Sequence, residues 1–269
     1  MLAYPPACLV NYPSMRNIRL LIQYDGTDYS GWQVQPEGTT IQGILQEKIR
    51  RITGEDAKLI AAGRTDAGVH ALGQVASFRT STKLAPEVIK RALNAVLPDA
   101  VRITDACDAA GGFHPRYDAR SKIYFYMIAV DRTVSPFLHR YIWRVPHRLD
   151  QGRMRCALPF FKGTHDFSSF RASDCGAKST VRTVSGISLE STDTLPFMGA
   201  ALNGSFIRIS IEADAFLRHM VRNIVGTIVE AGKGKISPDD MEKILASRDR
   251  RRAGPTAPAQ GLFLEKVNY

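Results

Sequence analysis

Two spacings of apolar residues alternate along this chain. Ile18 to Tyr24 is a short apolar run closed by Asp25-Gly26, which predicts a strand ending in a turn. From Ile41 the spacing becomes helical: Ile41, Ile44, Leu45, Ile49 and Ile52 share one face, with Thr40 placed to cap the start and Gly54 to stop the end. Lys58 to Ala62 and Gln74 to Thr80 read as strands on either side of a glycine-bearing loop. A second helix is expected from Pro86, whose fixed φ suits a first turn, with Val88, Ile89, Ala92, Leu93 and Val96 as its buried stripe before Leu97-Pro98 ends it. Val101 to Ala106 offers another strand.

The same kinds of element recur from Phe113. Ala119 to Val130 alternates strictly, with Ile123, Phe125 and Met127 on one face and Tyr124, Tyr126 and Ile128 on the other; the tyrosines are read as lying opposite the most apolar residues. Asp150 is placed to cap a helix bearing Met154, Ala157, Leu158 and Phe161. Strands are expected over Val181 to Leu189 and on both sides of Asn203-Gly204, a hairpin signal between Met198–Leu202 and Phe206–Ala213. A helix apolar over most of its circumference spans Phe216 to Ala231. Ser237-Pro238-Asp239-Asp240 then opens a helix through Leu245, and Gly261 to Tyr269 reads as a last strand. Mixed elements joined by hairpins argue an α+β fold rather than a doubly wound parallel sheet. The repetition predicts two mixed α/β domains, residues 15–112 and 113–269. Residues 1–14, ahead of Met15 and the first strand, are expected to form a disordered extension.

Composition narrows the class. The 269 residues are 44% apolar and 23% charged, as in a soluble globular protein. No stretch approaches the ~20 apolar residues that span a bilayer. The first twelve residues lack a basic segment and carry prolines where an apolar one would lie, so no secretory signal is expected and the reading is cytoplasmic. Cys8, Cys107, Cys156 and Cys175 are scattered, with no histidine at zinc spacing, which predicts reduced thiols and no metal. The net charge of +10 points to a polyanionic partner, because clustered Lys and Arg gain affinity by releasing counterions from phosphates. The excess recurs along the chain, at Arg16/Arg19, Lys48/Arg50/Arg51, Arg116/Arg120/Lys122, Arg171/Lys178/Arg182 and Arg218/Arg222.

The candidate chemistry centres on Gly63-Arg64-Thr65-Asp66-Ala67-Gly68-Val69-His70-Ala71. Glycines at 63 and 68 can take positive φ or admit a close backbone approach, and Arg64 sets a cation two residues from the Asp66 carboxylate. Taken alone, an acid in such a loop is a turn former or helix cap. Arg218 and Arg222, four apart on an apolar helix, are expected to share a face and to need an acidic or phosphate partner. An Asp66–Arg222 pair meets that need. Tyr124 and Tyr126 either sit in the core with satisfied hydroxyls or stack on an RNA base. His165-Asp166 and His219 lack a nearby nucleophile context and read as structural.

These residues together resemble the TruA family of tRNA pseudouridine synthases, from about Met15 to Tyr269. The resemblance is carried by Tyr24-Asp25-Gly26-Thr27, Gly31-Trp32-Gln33-Val34-Gln35, the Asp66 loop, Leu97-Pro98-Asp99 and Phe113-His114-Pro115-Arg116. Lys122-Ile123-Tyr124-Phe125-Tyr126, His165-Asp166-Phe167, Phe216 to Gly226, Thr256-Ala257-Pro258 and Gly261-Leu262-Phe263-Leu264 continue it. The resemblance implies isomerisation of uridine to pseudouridine in the tRNA anticodon stem-loop, at positions 38–40, without cofactor or metal. It implies two α/β domains with largely antiparallel sheets meeting at a central basic cleft, the pseudouridine synthase fold, in a homodimer that binds tRNA. Asp66 matches the catalytic aspartate, Tyr124 the tyrosine that packs on the target base, and Arg222 the basic partner of the aspartate. Arg64 matches an arginine associated with the flipped nucleotide, and Arg218 is read with Arg222 as substrate-binding. Lys122-Ile123 stands where some members carry two basic residues.

The chemistry suits such residues. Uracil must leave C1′, rotate and rejoin through C5, so the site needs one anionic side chain, a confined pocket and a base held by stacking. Attack by Asp66 on C1′, addition to C6 and deprotonation at C2′ all remain open, as does the base that removes the C5 proton. A non-catalytic RNA-binding or RNA-chaperone module would keep the basic surface without the isomerisation. A hydrolase with Asp66 as general base is disfavoured by the lack of a second catalytic acid, metal cluster or Ser/His pair.

Overall fold

Residues 15–269 are described by the computed structural model, and the disordered extension expected over 1–14 lies outside them. The strands are β1 (Arg16–Tyr24), β2 (Ile60–Ala61), β3 (His70–Thr80), β4 (Val101–Ala109), β5 (Ser121–Ala129), β6 (Trp143–Arg144), β7 (Gly163–Asp166), β8 (Val181–Phe197), β9 (Ala200–Ala213) and β10 (Leu262–Asn268). The α-helices are α1 (Ile41–Thr53), α2 (Pro86–Val96), α3 (Gln151–Ala157), α4 (Met220–Gly232) and α5 (Asp240–Ser247). All ten strands form one mixed, mainly antiparallel sheet in the order β4-β1-β3-β10-β5-β9-β8-β7, with β2 on β3 and β6 on β5. The chain is thus α+β.

Capping explains where the first helices begin. The Thr40 hydroxyl accepts from Gly43 N, Gly54 closes α1 at φ +75°, Pro86 occupies the first turn of α2, and Asp150 accepts from Arg153 N at the start of α3. The sheet's seam joins the last strand to the first half of the chain. There β10 runs parallel to β3, with Phe263 opposite His70 and Leu264 opposite Ala71, and antiparallel to β5, with Leu264 opposite Tyr124. Phe263 stacks between His70 (4.6 Å) and Phe125 (4.7 Å), so an aromatic ladder crosses β3, β10 and β5.

Four expectations need correction. The long hairpin turns at Met198-Gly199, whose φ values are +48° and +85°, and not at Asn203-Gly204; Asn203 pairs with Thr194 inside the ladder. Two successive positive φ values are what a tight two-residue hairpin requires. Helix α4 starts at Met220 because His219 takes a left-handed φ of +63°, so Phe216, Leu217 and Arg218 precede it. Helix α5 begins at Asp240, past Pro238, with no side-chain cap. On β5, finally, Lys122, Tyr124, Tyr126 and Ile128 form the buried face, whereas Ile123, Phe125 and Met127 are only half-buried. The tyrosine face is therefore the more deeply packed one.

Candidate active site at the Asp66 loop

The loop carrying Asp66 enters β3 at the seam and is clamped from beneath by residues 24–32. Trp32 N donates to Thr65 O (3.0 Å), and the hydroxyls of Tyr24 and Thr65 bond to one another at 2.7 Å. Burial pushes the Tyr24 phenol up to about 12, so it stays a neutral structural group. Gln74 Nε2 donates to Gly63 O at 2.8 Å from the other side. Two glycines permit the clamp. A Cβ on Gly26 would lie 2.0 Å from Val69 O, and one on Gly31, itself at φ +93°, would lie 2.8 Å from Thr65 O. Within the loop Gly68 takes φ +75°. Gly63 does not take positive φ, and a Cβ there would meet the Lys122 and Tyr124 side chains at ordinary contact, 3.7 to 3.9 Å.

Three nitrogen-bearing side chains converge on the Asp66 carboxylate. Arg222 Nη1 donates to Oδ2 at 3.2 Å, His219 Nε2 lies 3.5 Å from the same oxygen, and Arg218 Nε lies 4.0 Å from Oδ1. The carboxylate keeps about a quarter of its surface exposed, whereas the Arg222 side chain is 15% exposed. A guanidinium so buried is tolerable because its donors are used: Nε also donates to Ala257 O at 2.7 Å. Arg218 is half exposed and also pairs with Asp174. Lying ahead of α4, it does not share a helical face with Arg222, yet the left-handed turn at His219 brings both cations to one acid.

His219, which reads from sequence as structural, stands against the Asp66 carboxylate. A non-glycine residue at positive φ costs of order 1–3 kcal/mol and is held only where the surroundings demand it. Burial lowers the His219 pKa below its ordinary value; the neighbouring Arg222 and Arg218 push the same way, while Asp66 opposes them. At neutral pH the ring is therefore uncharged. No sequence signal marked this, since apolar periodicity runs straight through 216–221.

Tyr124 is buried and meets the ring of Phe216 edge-on at 5.0 Å. Burial holds its phenol protonated, with Tyr24 and Asp66 adding to the upward push. Tyr126, also on the buried face, donates to Pro258 O at 2.7 Å and braces the strap that carries Ala257. Arg64 is exposed beside the loop. His165 bonds to Lys162 O and stands at the far sheet edge on β7, away from Asp66. The structure thus gathers Asp66, Arg222, Arg218 and His219, with Tyr124 below the loop.

Among the described residues, no group of three or more His, Cys, Asp or Glu side chains is placed to hold a metal ion, and no helix is long and apolar enough to cross a membrane. What the arrangement offers is one partly exposed carboxylate, fixed by cationic and neutral donors, above a buried aromatic. Such a group can attack or stabilise an electron-poor carbon.

A family model described as tRNA pseudouridine synthase matches residues 20–118 and 157–269. The tRNA pseudouridine synthase A of Thermodesulfovibrio yellowstonii is 45% identical over 255 residues, 95% of this chain and the whole of that relative. Those of Thermoanaerobacter sp. and Acetivibrio thermocellus are 45% and 44% identical with the same coverage.

Proposed function

This chain belongs to the tRNA pseudouridine synthase family and is an isomerase of tRNA uridine, and from that premise we propose that Asp66 is its catalytic group. The observation that carries this reading is the convergence of Arg222, His219 and Arg218 on one carboxylate. In the reaction the C1′–N1 bond of uridine breaks, the uracil turns, C1′ bonds to C5, the C5 proton leaves and N1 takes a proton. Asp66 meets the electron-poor sugar or ring as an anion, and Arg222 holds that anion in one orientation. Its fork leaves Oδ1 the freer oxygen, the one facing exposed Arg218.

Tyr124 supplies the aromatic surface against which the extracted base rests, and Arg64 with Arg218 takes backbone charge around the flipped nucleotide. Flipping costs a few kcal/mol of unstacking, which phosphate contacts to a chain of net charge +10 offset. The target is a uridine of the anticodon stem-loop. We propose also that residues 15–112 and 113–269 act as two lobes around the seam, that the chain works as a homodimer, and that it resides in the cytoplasm with its tRNA.

The test is incubation with tRNA tritiated at uridine C5. Release of label to water is expected, because that proton is lost when C1′ bonds to C5. Tight binding of such tRNA without release would leave an RNA-binding module and remove the catalytic reading.

A further inference from the structure

Arg250 carries its charge to a place where no acid receives it. Among the described residues it makes no ion pair, and its half-buried guanidinium donates to neutral acceptors: Nη1 to Gly254 O (2.9 Å) and Ala253 O (3.3 Å), Nη2 to Asn223 Oδ1 (3.0 Å) and Thr256 Oγ1 (3.1 Å). A cation partly withdrawn from water is costly unless its donors are used. Here a planar fork meets both the helix α4 and the strap 253–258, a reach that an ammonium lacks. Arg251 and Arg252, the next two residues, are exposed.

The acceptors form a closed set. Asn223, fully buried on α4, accepts on Oδ1 from Arg250 and from the Thr256 hydroxyl (2.7 Å), while its Nδ2 donates to Phe170 O (2.8 Å). Because a guanidinium only donates, the amide has one orientation, and the single hydroxyl proton of Thr256 goes to Asn223. One turn further on, the Thr227 hydroxyl donates to Asn223 O (2.7 Å) and accepts from Gly254 N (2.8 Å). Strap and helix approach so closely there that a Cβ on Gly254 would lie 2.7 Å from Thr227 Cα.

The next strap residue is the one that the site uses. Ala257, fully buried, gives its N–H to Arg222 O (3.1 Å) and its carbonyl to Arg222 Nε (2.7 Å), and Arg222 Nη1 reaches Asp66 Oδ2 (3.2 Å). Arg222 adjoins Asn223 on the helix, and Ala257 adjoins Thr256 on the strap. The Arg250 cluster therefore sets the register in which the two segments meet, one residue from the Arg222 anchor. We propose that Arg250 is a positioning residue for the isomerisation: by holding Thr256 on Asn223 it fixes Ala257 O, and through that carbonyl the guanidinium of Arg222 against Asp66. The proposal rests on the Asp66–Arg222 pair acting in the reaction.

The experiment measures single-turnover tritium release from C5-labelled tRNA at saturating protein, together with tRNA affinity and thermal midpoint. Arg250→Met, and Arg250→Lys, which keeps the charge but not the fork, are expected to slow release roughly 10-fold or more while tRNA affinity stays within about threefold of wild type, since a small displacement of a fixed group is felt in the rate. Thr256→Ser keeps the hydroxyl and should release at close to the wild-type rate, whereas Thr256→Val should fall with Arg250→Met. Arg251→Met removes the neighbouring cation, which is exposed and paired with Asp249, and should leave the rate unchanged. A double-mutant cycle separates positioning from stability: in an Arg222→Met background, Arg250→Met is expected to cost less than about twofold, because the group it positions is gone. The same loss in both backgrounds would mark a merely structural residue and overturn the proposal. So would release within about threefold of wild type in Arg250→Met. Should Arg250→Met fail to fold, wild-type release by Thr256→Val would overturn the proposal, and a loss in Thr256→Val that serine rescues and that vanishes in Arg222→Met would uphold it. Wild-type release by Arg222→Met would defeat the Asp66–Arg222 reading and this proposal with it; a loss in Arg222→Met with none in Arg250→Met would defeat this proposal alone.

Discussion

Arg222 holds Asp66 from one side while anchored to the backbone from the other: Nη1 lies 3.2 Å from Asp66 Oδ2, and Nε donates to Ala257 O at 2.7 Å. The guanidinium therefore cannot follow the carboxylate if it moves. Its use of two edges means that charge alone does not replace it.

Arg222→Lys keeps the charge but cannot make both contacts, and Arg222→Met loses both. We expect turnover to fall by about 100-fold or more in each, the range seen when a fixed electrostatic donor is removed from a developing charge. Single-turnover tritium release measures it. A rate within threefold of wild type in Arg222→Met, taken as the order-of-magnitude threshold for no effect, would detach the pair from the mechanism.

His219 faces Asp66, Arg218 and Arg222, with Asp174 beyond Arg218. Because its pKa is lowered, the ring is neutral at pH 7 and charges only below the ordinary value of about 6.5. The imidazolium would then draw Asp66 into a closer ion pair, so the rate should fall on the acid side. His219→Gln, which cannot titrate, should lack that limb in a pH–rate profile. The same shift affects stability: the unfolded chain takes up this proton first, so stability is full above about pH 6.5 and declines as pH falls toward the folded pKa. Buried His70, likewise lowered by burial, adds to the decline, which a midpoint-against-pH series would register.

Gly226 lies inside α4, where Gly→Ala ordinarily stabilises by about 0.5–1 kcal/mol. Here a Cβ would fall 1.7 Å from Pro255 O. Gly226→Ala should therefore reverse the sign and cost about 3 kcal/mol or more, by forcing the 253–258 strap off the helix. It should also displace Ala257, the Arg222 anchor, so denaturant midpoint and turnover should fall together.

Where local chemistry decided the structure, the sequence revealed it. Thr40, Pro86 and Asp150 mark helix starts because a cap or a missing N–H acts within one turn. The Asn203-Gly204 signal misled because strand register, set by the whole β8–β9 ladder, puts the turn at Met198-Gly199. The Asp66 loop stood out by its glycines and flanking cation, and the Asp66–Arg222 contact followed from a buried arginine's need for an anion. His219 escaped because its left-handed backbone leaves no trace in the pattern of side chains. Lys122 looked like one more member of a basic surface, and only the fold reveals that its stem is buried without a partner acid.

Everything in the proposed reaction turns on the Asp66 carboxylate. Asp66→Asn is nearly isosteric and keeps an acceptor for Arg222, so the fold and tRNA affinity should persist. Tritium release from C5-labelled tRNA by this variant, beside wild type at matched occupancy, is the most direct measurement. Release is expected to fall to background with tRNA still bound; release at a rate near that of wild type would contradict a catalytic Asp66.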